Sequence, residues 1–215
     1  MLSPDTVSFL KDLAANNNRE WFKANDKRYR QDFKLAGEVF GEGLAAELSE
    51  ATGQDLSYKL FRIHRDVRFS KDKTPYNTHL RIFAAVPGAA ADHPKWMAGL
   101  ERDKLVVGVG SFGFEKDTLA QFRETIDGPA GDELAEILSA LTADGVRLGQ
   151  ADLKRVPKPY DAEHRHAEWL RYKGLTAWID HKDHKLAFGN NGPEKVAASL
   201  LTLRPLYDWL AKLTA

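Results

Sequence analysis

The chain has 215 residues and no cysteine, and its 31 basic side chains are balanced by 31 acidic ones. The missing thiols exclude disulfide bonds, thiolate zinc sites and cysteine nucleophiles, and the net charge of zero excludes a surface that is basic throughout, as a general nucleic-acid coat would be. An apolar fraction of 43% excludes a disordered chain, and the length predicts one domain over residues 1–215.

No stretch of the sequence approaches the roughly 18 consecutive apolar residues of a membrane span. The first residues carry neither the basic nor the apolar segment of a secretory signal, and no lipidation motif is visible. We therefore predict a cytoplasmic protein with no membrane partner.

The N-terminal third is predicted to be helical. Ser3 and Pro4 are typical of a helix cap and a first helical residue, and three asparagines at 16–18 end that helix and offer a cap for the next one. From there the apolar residues recur at intervals of three, four and seven as far as Gly53, which is a suitable C-terminal stop. These spacings predict one long helix over about 19–51.

The period then changes to that of a β-strand. Over residues 58–69 apolar and polar side chains alternate, with Arg65 as the one exception, where a bulge would restore the pattern. Residues 70–79 are polar and predict a loop, residues 80–86 predict a second strand, and residues 87–94 predict an exposed loop.

The second half of the sequence alternates between strands and helices. The predicted elements are, in chain order, a hairpin of strands 95–100 and 105–110, helices 115–126 and 132–143, a short helix at 164–172 and a strand at 175–180. A last helix starts after Asn191 and is kinked or divided by Pro205. This order predicts a compact α+β fold with a mainly antiparallel sheet flanked by helices.

Positive charge is concentrated between residues 59 and 81. Seven lysines and arginines against two aspartates give this segment a net charge of +5 in a neutral chain. A strand here would place Arg62, His64, Asp66 and Arg68 on one face, at intervals of about 6.5–7 Å. A guanidinium is a rigid donor fork that stays charged and matches phosphate or carboxylate oxygens, so the segment is a candidate anion site.

The predicted ligand-binding residues all lie in this segment and are Arg62, Arg65, Arg68, Ser70, Lys71, Lys73 and Tyr76. Asp66 and His79 are the candidates for a proton-transferring group. The sequence indicates no cofactor. It also indicates no metal site, because the histidines at 164, 166, 181 and 184 lack the helical His-Glu-x-x-His spacing.

Three kinds of function fit this cluster. The first is binding of a small anionic ligand or of a nucleic-acid phosphate backbone, and the second is an enzyme that acts on a phosphate or carboxylate ester, with the arginines holding the charge. The third is a structural or partner-binding protein in which the cluster pairs internally, for instance with the acidic stretch 101–144. Neither the ligand nor the oligomeric state follows from the sequence.

Two blocks of the sequence resemble a known family. The block RIHRDVRFSKDKTPY, residues 62–76, is similar to the signature of the conserved family named domain of unknown function 2461, and NNNREWF, residues 16–22, is similar to the other recurring block of that family. Because no activity is attached to the family, the resemblance implies no mechanism. It does favour a functional site at 62–76.

Weaker similarity to the same family continues downstream, in RVPKPY at 155–160 and LRYK at 170–173, so the resemblance covers nearly the whole chain. The sequence departs from the family pattern at two positions. Pro159 stands where glycine is expected, and His64 stands where tyrosine or asparagine is frequent.

Overall fold

The structure is a computed structural model that describes residues 1–214. The helices are α1 (Pro4–Ala15), α2 (Arg19–Ala24), α3 (Asp26–Arg28), α4 (Ala36–Thr52), α5 (Lys116–Asp127), α6 (Ala130–Ala143), α7 (Gly192–Leu201) and α8 (Arg204–Ala211), with a π-helical stretch at Tyr29–Leu35. The strands are β1 (Ser57–Leu60), β2 (Leu80–Ala85), β3 (Lys95–Leu100), β4 (Leu105–Ser111), β5 (Arg147–Leu148) and β6 (Leu175–His181).

The six strands form one antiparallel sheet in the order β1-β2-β3-β4-β6-β5. The register of its first pair runs from Ser57↔Ala85 to Leu60↔Ile82. The predicted α+β class is confirmed.

The chain folds into two compact units. The first consists of Met1–Pro87, Met97–Val107 and Asp180–Ser199, and the second of Gly88–Trp96, Gly108–Ile179 and the chain from Leu200 onward. Strands β3, β4 and β6 contribute residues to both units. The single domain over residues 1–215 stays a prediction.

Local capping explains where the first helices begin and end. The Ser3 hydroxyl accepts a hydrogen bond from Asp5 N at 3.2 Å, and Asn18 Oδ1 accepts one from Trp21 N at 2.9 Å, as capping side chains do. Gly53 ends α4 in the left-handed conformation, with φ +71°. The predicted caps and the predicted stop are confirmed.

The single helix predicted over 19–51 is interrupted. α2 ends before Asn25, whose side-chain Nδ2 donates to Trp21 O at 2.9 Å and so competes with the next helical turn. α3 is less than one turn long, and the backbone is then π-helical before α4 begins. The apolar spacing does not reveal this break, because Phe33 in the π-helical stretch is still buried in the core.

The strand predicted over 58–69 is wrong beyond β1. Only a single antiparallel bridge, His64↔Tyr76, continues the pairing. Pro75 explains the interruption, since its carbonyl accepts a hydrogen bond from Arg65 N at 2.9 Å but it has no N–H to donate in return. The predicted row of basic side chains on one strand face therefore does not form.

Most elements predicted for the second half are confirmed, namely the β3–β4 hairpin, helices α5 and α6, and strand β6. The short helix predicted at 164–172 is wrong and reduces to a 3₁₀ turn at Trp169–Arg171. The last helix is divided as predicted, because α8 begins at Arg204 with Pro205 in its first turn. Backbone N–H groups in the first turn have no acceptor within the helix, so a proline, which lacks an N–H, is tolerated there.

Each unit has its own apolar core. Fully buried side chains in the first unit include Phe9, Phe40 and Leu44. In the second unit the Trp96 and Tyr207 rings stack with their centroids 4.5 Å apart. No helix within residues 1–214 has both the length and the apolar character that a membrane crossing requires.

Candidate anion-binding cleft

The chain between β1 and β2 folds back on itself. Phe61 N donates to Arg81 O at 3.0 Å, and Asn77 N donates to Ile63 O at 2.7 Å. The outgoing and returning chains therefore run side by side beyond the regular ladder of β1 and β2. We call this connection together with the first two residues of β2, residues 61–81, the basic loop.

Asn17 anchors the returning chain of the basic loop. Its Nδ2 donates to Tyr76 O at 2.9 Å and its Oδ1 accepts from Tyr76 N at 3.1 Å, so one side-chain amide satisfies both backbone polar groups as a neighbouring strand would. The Tyr76 ring stacks on Phe22, with centroids 4.0 Å apart and 14° between the ring planes. Because Tyr76 is only 6% exposed, its ring belongs to the core.

An open cleft of about 320 Å³ lies along the basic loop. The outgoing chain lines it with Phe61, Arg62, His64, Arg65 and Asp66. The returning chain lines it with Asn77, His79 and Arg81. Three guanidiniums and two imidazoles therefore meet at one hollow, and such groups are the usual partners of phosphate and carboxylate oxygens.

Arg65 is tied to the tip of the basic loop. Its Nη1 lies 2.6 Å from Asp72 Oδ2, and it donates to Thr74 O at 3.1 Å and to the Thr74 hydroxyl. A backbone hydrogen bond from Thr74, and then the Arg65 guanidinium, lower the pKa of Asp72 to about 2. Asp72 is therefore ionised at neutral pH, and Arg65 is a fixed part of the loop.

Arg68 and Arg81 also have carboxylate partners. Arg68 forks onto Asp66, with Nη2 2.6 Å from Oδ2 and Nε 3.0 Å from Oδ1, and hydrogen bonds from the Arg68 side chain and backbone lower the pKa of Asp66. Arg81 Nη2 lies 2.7 Å from Glu101 Oε1. Its guanidinium passes over Gly99, where a Cβ would collide with it, so this glycine leaves the room that Arg81 needs.

Arg62 differs from the other three arginines. Its side chain is exposed, and its guanidinium makes no hydrogen bond or ion pair within residues 1–214. The four arginines of the basic loop face three carboxylates, Asp66, Asp72 and Glu101. Among these four arginines, Arg62 is left without an ion-pair partner, and Lys71 and Lys73 are further cations toward the tip of the loop.

Neutral donors accompany Arg62 in the cleft. Burial, and then the charge of Arg81, lowers the pKa of His79, so its imidazole is neutral at pH 7. Asn77 Nδ2 donates to the Arg62 backbone O at 3.4 Å. An imidazole N–H and an amide N–H can each donate to a bound anion without adding charge.

The structure brings four of the predicted site residues to the cleft, namely Arg62, Arg65, Asp66 and His79. Tyr76 lies in the core, and the remaining four, Arg68, Ser70, Lys71 and Lys73, lie toward the tip of the basic loop. Lys73 Nζ closes the tip by donating to Val67 O at 3.0 Å.

The sequence prediction missed four cleft residues, Phe61, His64, Asn77 and Arg81, and it missed the anchoring role of Asn17. Pro75 is the residue from which this arrangement could have been predicted. A proline has no N–H to donate to a strand ladder, so opposite a predicted strand it indicates that the chain returns without regular pairing. No local pattern indicates that Asn17 contacts a residue 59 positions away.

The histidines at 181 and 184 are engaged separately. His181 Nε2 lies 2.8 Å from Ser199 Oγ, and His184 Nε2 lies 3.1 Å from Glu101 O. Within residues 1–214, no three histidine, aspartate or glutamate side chains form a group that could hold a metal ion.

The chain was compared with family models and with curated proteins. A family model described as "Conserved hypothetical protein (DUF2461)" matches residues 5–209. The comparison with curated proteins gives no match. The matched range includes the basic loop and its anchor, Asn17.

Proposed function

We propose that this chain, which belongs to the family of conserved hypothetical proteins DUF2461, binds a small ligand through a phosphate or carboxylate group at the cleft of the basic loop. The observation that carries the proposal is the Arg62 guanidinium, which is exposed at the cleft and has no carboxylate partner within residues 1–214. A guanidinium stays charged throughout the physiological pH range and presents two parallel donors to two oxygens of such a group. A cytoplasmic setting is part of the proposal.

The charge balance of the cleft supports a ligand with one anionic group. Arg65 and Arg68 direct their donors to Asp72 and Asp66, so they offer little to a second phosphate. A nucleic-acid backbone is bound by several cations that each neutralise one phosphate along a track. One unmatched guanidinium beside neutral donors suits a compact anion better than a polymer.

The test uses inorganic phosphate and acetate as probes, each titrated at constant ionic strength while the arginine Nε–H and asparagine side-chain resonances are followed by NMR. The expected result is a saturable shift at Arg62 and Asn77. Arg62→Gln should weaken binding at least tenfold. Lys71→Gln is the matched control, because it removes the same charge from the exposed tip and should change the affinity by less than about twofold, as screened surface charges do.

Two results would contradict the proposal. If neither probe gives a saturable shift, the cleft has no anion site. If Lys71→Gln weakens binding as much as Arg62→Gln, the attraction is a general effect of loop charge. A single-stranded oligonucleotide that binds with a steep salt dependence, near −0.7 per phosphate contacted, would favour the phosphate backbone instead.

A further inference from the structure

A second cleft, which we call the α6 cleft, lies along α6 in the second unit and has a volume of about 490 Å³. Its walls include Leu138, Ser139, Arg165, His166 and Trp169. None of these residues belongs to the cleft of the basic loop, so the chemistry of this second cleft can be considered independently of the proposed anion binding.

A histidine and an aspartate form a closely bonded pair at this cleft. His166 Nε2 lies 2.7 Å from Asp132 Oδ1, and the His166 side chain is only 11% exposed. Arg165 Nη2 donates to the other carboxylate oxygen, Asp132 Oδ2, at 2.8 Å. Because an ionised carboxylate can only accept, His166 Nε2 must carry the hydrogen of this bond.

The second ring nitrogen of His166 is then the basic one. Nδ1 makes no hydrogen bond within residues 1–214, and it is not among the buried polar atoms that lack a partner, so solvent reaches it. A neutral imidazole with its hydrogen on Nε2 has a lone pair on Nδ1. An accessible imidazole nitrogen whose opposite N–H is held by a carboxylate is the arrangement of a general base.

The protein also fixes the orientation of the His166 ring. Gly131 lies so close that a Cβ there would be 3.1 Å from His166 Cδ2 and would collide with Ile126 O. The His164 ring also packs edge-to-face against the His166 ring, with centroids 5.7 Å apart and 69° between the ring planes. A ring restrained in this way keeps Nδ1 in one place, which proton transfer requires.

We propose that His166 is a general base that activates water for the hydrolysis of a small ester in this cleft, with Asp132 as its positioning residue. The side chains of Leu138 and Trp169 offer an apolar wall, which suits an ester with an apolar acyl or aryl group.

In the proposed reaction, His166 Nδ1 accepts a proton from water while the water oxygen bonds to the acyl carbon. The bond between that carbon and the leaving oxygen then breaks. The imidazolium returns its proton to the leaving oxygen, and the acid product releases its remaining proton to solvent. The products are one carboxylic acid and one alcohol or phenol, and no further reactant is required.

The test uses p-nitrophenyl acetate as the probe ester and the full chain as the enzyme. The wild type should show saturable hydrolysis above the buffer rate. His166→Gln should lower kcat/KM about tenfold or more, at the low end of what a general base contributes. His184→Gln is the matched control, because it makes the same substitution at a histidine in the first unit and should leave the rate unchanged.

The role of Asp132 is tested by a measurement that would not change if Asp132 only stabilised the structure. Asp132→Asn should lower the rate and redistribute the hydrogen between the two His166 nitrogens, which ¹⁵N NMR detects, and Asp132→Glu should restore part of the rate.

Three outcomes would overturn the proposal. The first is a wild type that does not accelerate hydrolysis. The second is a His166→Gln variant with an unchanged rate; if its Tm falls at the same time, the pair only holds the segment around 166 in place. The third is an NMR spectrum in which neutral His166 carries its hydrogen on Nδ1. Because this last measurement needs only the wild type, it stands even where a variant fails to fold.

Discussion

The basic loop and the α6 cleft both pair arginine with carboxylate, but they differ in which group is left without a partner. In the basic loop the arginines outnumber their carboxylate partners, and Arg62 remains as an unmatched charge. In the α6 cleft Asp132 is shared by Arg165 and His166, and what remains is a neutral nitrogen lone pair. The first arrangement favours an anion, and the second favours a proton transfer.

This difference shows that the number of charged residues is a poor guide to a site. Solvent-exposed ion pairs contribute little to stability, so the pairs of Arg65 and Arg68 act mainly by fixing positions. The group without a partner is the one that can act on a ligand. Variants that alter either the support of the basic loop or its leftover charge therefore test this difference.

The largest effect is expected when the stack beneath the basic loop is removed. Tyr76→Ala deletes a buried ring that packs on Phe22, and truncation of a buried aromatic side chain typically lowers the free energy of unfolding by about 3–5 kcal/mol. Urea denaturation measures this loss. Phosphate binding should disappear with the support of the cleft, whereas hydrolysis of p-nitrophenyl acetate in the α6 cleft should persist below the unfolding transition.

Tyr76→Phe is the control for this prediction. It keeps the ring and the Asn17 hydrogen bonds to the backbone, so it should preserve both stability and phosphate binding. A Tyr76→Ala variant that loses less than about 1 kcal/mol, well below the range for buried aromatic residues, would show that the stack does not support the loop.

The same residue shows why part of the fold could be predicted and part of the site could not. The start of α1, the stop at Gly53 and the division at Pro205 depend on residues a few positions apart, and the sequence predicts each of them. Tyr76 has an aromatic hydroxyl in a basic segment, and the sequence therefore placed it in the site. Its actual environment depends on Asn17 and Phe22, more than fifty positions earlier.

The charges of the basic loop also show that local sequence patterns do not predict tertiary contacts. The net charge of +5 over residues 59–81 is correct as a count, but the pairing within it depends on the turn at the tip, which brings Asp72 to Arg65. Equally, the pattern His164-Arg165-His166 does not indicate that Asp132, on α6, accepts from two of its members. Contacts of this kind follow from tertiary structure and are not encoded in local spacing.

A moderate effect is expected when the leftover charge is increased. Asp66→Asn removes the carboxylate that Arg68 holds and leaves a second unmatched guanidinium at the basic loop. Sulfate is the probe, and its affinity should rise about two- to fivefold, as expected for one further charge several ångströms away in a solvent-exposed site. Isothermal titration calorimetry at low salt measures the change.

Asp55→Asn is the matched control, because it removes the same charge from an exposed residue ahead of β1. It should leave sulfate binding nearly unchanged. If it tightens binding as much as Asp66→Asn does, net charge determines the affinity, and the contrast between paired and unmatched arginines loses its meaning.

The smallest effect is expected from the protonation of His79. Because burial and Arg81 lower the pKa of His79, the folded protein favours the neutral ring, and the proton is taken up only below the usual pKa of histidine, near 6.5. The associated stability is fully present above that value and is lost as the pH falls from it through the lowered pKa of the folded protein. Protonation adds a positive charge to the cleft that Arg62 also lines, so sulfate, whose own charge is constant here, should bind about two- to threefold more tightly once the ring is protonated than at pH 7.5.

The comparison that isolates this effect is His79→Gln against the wild type over the same pH range. Asp66 stays ionised throughout, since its pKa is lowered, but a second imidazole, that of His64, also lines the cleft. His64→Gln therefore serves as the second variant. If His79→Gln retains the full pH dependence and His64→Gln abolishes it, the exposed histidine is the one that senses the anion, and the cleft binds its ligand nearer the solvent than Arg81 and His79 would place it.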